Sequence, residues 1–190
     1  MTNILGVHQT DFANNLAKTD GDIADLTAEV VTATLADAGI GADAVESIHV
    51  GNAFGQLYTG QGHLGAMPAT VEPALWGMPA MRHEAACASS SMAVLAGMAE
   101  IEAGRYDCVL VLGIEQEKTM PGGPAAAVQT AAAWVGHETE GIEFFWPYAF
   151  ERVAGSQWQR LMPLHRRFRT WSLTCASMRS PATSCLNDLN

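Results

Sequence analysis

Pro79-Ala-Met-Arg-His-Glu-Ala-Ala-Cys-Ala-Ser-Ser-Ser-Met-Ala-Val-Leu-Ala-Gly-Met-Ala-Glu-Ile-Glu-Ala-Gly-Arg-Tyr-Asp-Cys-Val-Leu-Val-Leu-Gly113 decides the fold class. Pro79 to Ala86 reads as a strand, and Ser89 or Ser90 stands where it can cap a helix that runs to Glu102. Gly104 falls at the C′ position of that helix. Tyr106 to Gly113 contains Cys-Val-Leu-Val-Leu, a continuous apolar run of the kind buried on both faces of a parallel sheet. Strand, helix and strand in that order predict an α/β fold with a mostly parallel sheet.

The helix inside this stretch adds a constraint. Met92-Ala-Val-Leu-Ala-Gly-Met-Ala99 is apolar on every face, and such a helix must be buried all round. Packed on one sheet it still turns its outer face to water, so it needs a second layer, for which the rest of the chain offers no second set of strands. Working outward, Val45 to Val50 reads as another strand, stopped by Gly51. Upstream, Asp22 is a candidate N-cap for a helix whose apolar positions Ile23, Leu26, Val30, Val31, Thr34 and Leu35 sit at helical spacing before Gly39 and Gly41. Residues 3–7 read as a short strand. Residues 52–78 are punctuated by Gly and Pro, with a short helix expected near His63 to Met67.

The chain has 190 residues, of which 48% are hydrophobic and 16% charged. That length suits one domain burying about 70% of its unfolded surface. No apolar run approaches the roughly 18 residues a membrane span needs, and the first residues show neither a basic region nor a long apolar one. A net charge of −10 argues against binding a phosphate backbone. The four cysteines (Cys87, Cys108, Cys175, Cys185) include no Cys-x-x-Cys and outline neither a disulfide scaffold nor a zinc knuckle. The expectation is a cytoplasmic protein with reduced thiols and with no membrane or nucleic-acid partner.

The charge is unevenly spread. Residues 1–155 hold 19 of the acidic side chains and five of the basic ones, while residues 156–190 hold five arginines and a single acid, Asp188. All 18 glycines lie at or before Gly155. The apolar residues of the tail follow neither a helical nor a strand period. A basic, exposed C-terminal segment would read this way. So would translation in a shifted frame, and the lack of local consistency favours that account.

Cys87 is the candidate nucleophile. It stands between a strand and a helix, where the positive end of the helix dipole favours the thiolate and free N–H groups can hold an oxyanion. Position alone leaves a second role open, that of a small buried thiol. Cys108, inside the apolar strand, reads as packing. His83, placed on the same strand as Cys87, lies about 13 Å away if the strand continues, too far to act as its base. His63 and His137 fall on loops, where solvated histidine is the usual state. No histidine or acid cluster has metal spacing, so no metal is expected. Gly60-Gln-Gly62-His-Leu-Gly65 matches G-x-G-x-x-G, but it does not follow directly on a strand as a dinucleotide site requires. Met67, Met78, Met81, Met92 and Met98 read as core filling rather than a site. Phe144-Phe-Trp-Pro-Tyr-Ala-Phe150 suits either an apolar groove or a loop anchor.

Four segments carry a family resemblance: Gln61-Gly-His-Leu-Gly-Ala-Met67, Pro79 to Ser91, Ala103-Gly-Arg-Tyr-Asp107, and Gly113-Ile-Glu-Gln-Glu-Lys-Thr119. Together they resemble the thiolases, in particular the acetyl-CoA acetyltransferases related to the sterol carrier protein thiolases. The likeness spans residues 3–155, and Glu84-Ala-Ala-Cys87-Ala-Ser-Ser is its most specific part. It implies that Cys87 is the acyl-accepting cysteine and that the fold is the N-terminal half of a five-layered αβαβα architecture. The nucleophile's helix would then lie between two sheets, the second belonging to the other half. By the same likeness residues 1–115 are the N-terminal α/β domain and residues 116–155 start the loop region that contributes to the CoA tunnel, leaving 156–190 as the out-of-frame or disordered tail.

The implied chemistry is ping-pong acyl transfer through a cysteine acyl-enzyme, with coenzyme A thioesters as substrates and no bound cofactor. Condensation or thiolysis of a 3-ketoacyl-CoA also needs a base and a second cysteine, which in the family come from the C-terminal half as a Gly-His-Pro histidine and a cysteine near a Gly-rich turn. Gly136-His137 is followed here by Glu138, and Cys175 and Cys185 lack glycine neighbours. The expectation is therefore a truncated chain, inactive alone, that dimerises or self-associates through uncovered apolar surface. The alternatives are a non-catalytic partner or scaffold of an acyl-CoA-handling complex, and a related condensing enzyme of the ketoacyl synthase kind.

Overall fold

The computed structural model describes residues 2–165, with side chains as far as residue 156. The chain divides into a first unit ending at Glu143 and a second beginning at Phe144.

The first unit is built on three parallel strands, β1 (Ser47–Gly51), β2 (Ala80–His83) and β3 (Val109–Gly113), in the order β2-β1-β3. Ile48 pairs with Ala80 on one side and Leu110 on the other, and Gly51 pairs with His83 and Gly113. The mixed α/β architecture with an all-parallel open sheet is thus the one the strand–helix–strand reading demands. Its helices are α1 (Ile23–Ala38), the short α2 (Gly55–Thr59) and α3 (Met67–Val71), α4 (Ser89–Glu102) and α5 (Gly122–Gln129). The second unit contributes α6 (Phe145–His165), and residues 166–190, most of the basic tail, lie outside the described residues.

Helix α1 begins where Asp22 indicates. Its carboxylate accepts the Ala24 and Asp25 N–H groups, and Asp25 returns a bond to the Asp22 N–H, closing a capping box. Gly39 ends the helix in the left-handed region at φ +68°, which costs glycine nothing. The α1 residues Val30, Val31 and Leu35 join Ile48, Val50, Leu110 and Leu112 of the sheet in one core with Leu64, Leu75 and Ile114. Ile48 and Val50 are buried because they face this core, and Ser47 and His49 are buried because α4 covers the other face.

Three local expectations change. Residues 3–7 join no sheet: the Val7 N–H donates to Asp37 Oδ2 at 2.8 Å, so an α1 side chain takes a donor that a ladder would use. Strand β2 stops at His83 rather than Ala86, because Glu84 Oε1 accepts the Ala86 N–H (2.6 Å) and Ala86 turns to φ +49°, outside any strand conformation. Ser89 and Ser90 do not cap α4 at its N-cap position, which Ala88 holds. Ser89 instead spans the preceding turn, its Oγ accepting from Ala85 N (2.9 Å) and donating to Ala86 O (2.7 Å).

The all-round apolar helix packs on one sheet only. Ser89, Ala93 and Gly97 of α4 are buried, while Met92, Val94, Leu95 and Met98 are 45, 45, 55 and 37% exposed. A covering layer would gain on the order of 1 kcal/mol for each of these half-exposed side chains.

Candidate active site

In a parallel sheet all carboxyl ends lie at one edge, and there ligands bind. At this edge β1 runs into Asn52, β2 into Glu84 and β3 into Ile114-Glu115. Three polar side chains staple these loops together. Asn52, 1% exposed, donates from Nδ2 to Ile114 O (2.6 Å) and accepts the Gly55 N–H at Oδ1 (3.1 Å). Arg82 donates to Asn52 O (3.2 Å) and Ala53 O (2.9 Å). Glu115 Oε2 accepts the N–H groups of Ala53 (2.8 Å) and Phe54 (3.2 Å). Burial pushes the Glu115 carboxyl above the ordinary glutamate range, and those two N–H groups only partly oppose it. None of the three stands out in the sequence except as a polar residue just after, or at the end of, an apolar strand.

Cys87 lies in the single turn Ala86–Ala88 that links β2 to α4, and it is exposed. Two glycines let the start of α4 settle on the strand ends. A Cβ on Gly51 would lie 2.5 Å from Ser90 Cα, and one on Gly113 would lie 2.5 Å from Ser90 Oγ. The result is a thiol presented at the carboxyl edge, one turn ahead of a helix N-terminus. A cavity of about 510 Å³ adjoins this turn, bordered by Phe54, Leu57, Arg82, Glu84, Ala86 and Ala132. A second, of about 530 Å³, opens between residues 2–8, α4 and β3; it is more apolar, but it does not border the Cys87 turn.

The other residues singled out from sequence go elsewhere. His63 is exposed in a left-handed turn at φ +52°, and exposed His137 stacks on Trp134 with ring centroids 4.0 Å apart. Neither hydrogen-bonds Cys87. Because β2 ends at His83, that histidine and Cys87 do not share a strand; the His83 ring turns to His49 instead, Nε2 to Nδ1 at 2.8 Å. Cys108 is half-buried, and burial followed by the charge of Glu46 pushes its thiol up, which suits the packing role. Gly60 and Gly62 shape the loop before His63 and open no strand-to-helix phosphate turn. Among the described residues no group of three or more His, Cys, Asp and Glu is placed to hold a metal ion. Cys175 and Cys185 lie outside the described residues.

The thiolase N-terminal domain matches residues 2–141. The chain belongs to the thiolase family. Its relatives include the acetyl-CoA acetyltransferase of Methanothermobacter thermautotrophicus, 30% identical over 141 residues that make up 74% of this chain and 36% of that protein. The acetyl-CoA acetyltransferase of Methanocaldococcus jannaschii is 32% identical over 60% of this chain and 28% of its own length. Sterol carrier protein 2 of Gallus gallus is 35% identical over 60% of this chain and 20% of its own. This thiolase chain therefore spans between a fifth and little more than a third of the relatives it matches. No described helix is long and apolar enough to cross a membrane.

Proposed function

We propose that this chain supplies the nucleophile half of a thiolase-type acyltransferase, with Cys87 as the acyl acceptor. The observation that carries the reading is the exposed Cys87 thiol in the β2–α4 turn, at the carboxyl edge of the sheet and beside a cavity. The Cys87 thiolate attacks the carbonyl carbon of an acyl-CoA thioester. The tetrahedral oxyanion collapses, the C–S bond to coenzyme A breaks, and the CoA thiolate leaves an acyl group on Sγ. The N–H groups at the start of α4 favour the oxyanion of the tetrahedral intermediate. Coenzyme A thioesters are substrates in this scheme, and no resident cofactor takes part.

The second half-reaction, in which an acetyl-CoA enolate condenses with the acyl-enzyme or CoA cleaves a 3-ketoacyl-CoA, needs a base and a proton-shuttling thiol. In our reading these come from a segment beyond the matched residues, whose sheet also covers the exposed face of α4. Residues 1–115 then form the N-terminal α/β domain, residues 116–155 begin the loop region, and residues 156–190 are the tail, into whose first ten residues α6 continues. The chain alone stops at the acyl-enzyme, self-associates or dimerises through α4, and works in the cytoplasm without membrane or nucleic-acid partners. The uncovered α4 face also suits a non-catalytic partner subunit; binding of a separate second-half chain without any acylation of Cys87 favours that role.

Incubation with acetyl-CoA followed by intact-mass measurement tests the reading. One acetyl group is expected, and it is lost in Cys87→Ala. No adduct on folded protein, or an adduct that survives the substitution, refutes it.

A further inference from the structure

Among the described residues, acyl transfer leaves a partly buried titratable cluster without a part. Ser47, His49 and Gly51 alternate onto the sheet face that α4 covers, and His83, the register partner of Gly51, reaches the same face from β2. His49 is 2% exposed. Its Nε2 lies 2.9 Å from Glu100 Oε2, and its Nδ1 lies 2.8 Å from His83 Nε2. The Ser47 hydroxyl donates to the same Glu100 oxygen at 2.7 Å. A line of polar contacts thus runs from the last turn of α4, through β1, to the final residue of β2, four positions before Cys87.

The protons on this line can be counted. Burial works against the Glu100 charge, but the hydrogen bonds from Ser47 and His49 and the charges of His49 and Arg105 outweigh it, so the carboxyl is held below the ordinary range. An ionised carboxylate only accepts, so His49 Nε2 carries a proton. The Nδ1···Nε2 contact then holds one proton, whichever ring owns it. A single added proton goes to the outer nitrogen of His83 and leaves the contact intact. A second would set two N–H groups facing each other at 2.8 Å, and the contact must break.

We propose that the His49–His83 pair is an acid-released clasp that positions the Cys87 turn, tying the end of β2 to α4 until the pair takes up a second proton. Every element around it agrees with this role. Helix α4 presents Glu100 and the backbone-close Gly97, β1 presents Ser47, and β3 offers only Val109 and Val111 to this face, while Arg105 acts on Glu100 from just beyond the helix. Burial, followed by the charge of His49, holds His83 below the ordinary histidine value, so the clasp is closed at neutral pH. Opening it frees the β2 end, and Cys87 loses its alignment with the α4 N-terminus. His49 and His83 act as positioning residues, since neither touches the thiol.

The test uses the full chain with Cys108→Ala, Cys175→Ser and Cys185→Ser, so that Cys87 is the sole thiol, and follows its reaction with dithiodipyridine from about pH 8 to about pH 5. The ratio of this rate to that of the same protein carrying His83→Gln cancels the reagent's own pH dependence. The ratio is expected to be constant near neutrality and to fall roughly fivefold, the worth of one charge–dipole contact, with a midpoint below the ordinary imidazole value of about 6.5. Glu100→Gln removes the charge that balances the added protons, and it moves the midpoint to lower pH. A merely structural part for these residues changes the rate by a pH-independent factor. Histidine NMR of the unsubstituted chain is the second readout: the two rings take up protons in separate steps, the later one coinciding with the fall in rate. A flat ratio, or two rings titrating together at the ordinary value, overturns the proposal. No CoA thioester enters this experiment, so its failure leaves the acyl-transfer reading to its own test.

Discussion

The seat of α4 on the strand ends gives the sharpest stability prediction, because two neighbouring glycines meet different atoms of one serine. A Cβ on Gly51 would lie 2.5 Å from Ser90 Cα and 2.6 Å from Ser90 N, both backbone. Carbon contacts are comfortable from about 3.5 Å, so Gly51→Ala must lift the start of α4 by about 1 Å. The helix cannot lift freely. Glu100 is bonded to Ser47 and His49, and Gly97 sits so close that a Cβ there would be 3.0 Å from Val109. Overpacking of this kind costs about 1–3 kcal/mol, and the stiffer unfolded chain of the alanine variant returns about 0.4–1 kcal/mol. The net expectation for G51A is a loss of about 1–2 kcal/mol, a fall of roughly 0.5–1 M in the urea midpoint for a slope of about 2 kcal/mol/M. Gly113→Ala instead meets Ser90 Oγ at 2.5 Å, with Ser90 Cβ already at 3.5 Å. Turning that hydroxyl costs no more than about 1 kcal/mol, so G113A stays within about 0.5 kcal/mol of the parent. Ser90→Ala then separates the two: it relieves G113A but not G51A, whose obstacle is main chain. Urea unfolding of the parent, the three single variants and the two doubles, followed by circular dichroism, completes both cycles. A G51A protein that unfolds at the parental midpoint, or one that S90A restores, refutes the close seating of α4.

Two further outcomes follow from side chains already described. The folded pKa of Glu115 is raised by burial, so the fold binds its proton more tightly than the unfolded chain does, and its contribution to stability is present below the ordinary glutamate value and lost as pH rises through the raised one. Glu115→Gln keeps an acceptor for the Ala53 and Phe54 N–H groups and flattens that slope, whereas Glu115→Ala strands both donors and lowers stability at neutral pH by about 1–3 kcal/mol; urea midpoints measured across the acid range check both, and an E115Q slope equal to the parent's counts against the assignment. Leu95→Glu, at a side chain 55% exposed, is expected to change the unfolding free energy by no more than about 0.5 kcal/mol. It nonetheless shifts the chain toward monomer in sedimentation, and unchanged association means the α4 face is not the contact.

The parts of the molecule legible in the sequence are those where one residue type has one physical use. Asp22, just ahead of an apolar run at helical spacing, read as a candidate N-cap, and it caps α1. Cys-Val-Leu-Val-Leu read as a strand buried on both faces; β3 lies within the stretch, but Leu110 and Leu112 are buried while Val109 and Val111 stay half-buried, and it starts late because the Asp107 and Cys108 N–H groups donate to the Glu46 carboxylate. The turn holding Cys87 was legible as a strand-to-helix junction, but its geometry was not, since Glu84 and Ser89 fold back on the main chain by local bonds that no periodicity signals. Residues 3–7 misled for a similar reason: a short apolar stretch can pair as a strand, while an available partner decides whether it does.

Sequence alone was enough for the fold class, the family resemblance and the candidate nucleophile, because these rest on short-range order: periodicity, caps, and a motif around one cysteine. Tertiary structure alone decided what faces what. It brought Asn52, Arg82 and Glu115 together from three strand ends, and it joined Ser47, His49, His83 and Glu100 under α4 across 53 residues of chain. Such contacts depend on strand register, where a slip of one residue sends every side chain to the opposite face. Register is settled by packing the whole sheet against its helices, so no local stretch of residues contains it.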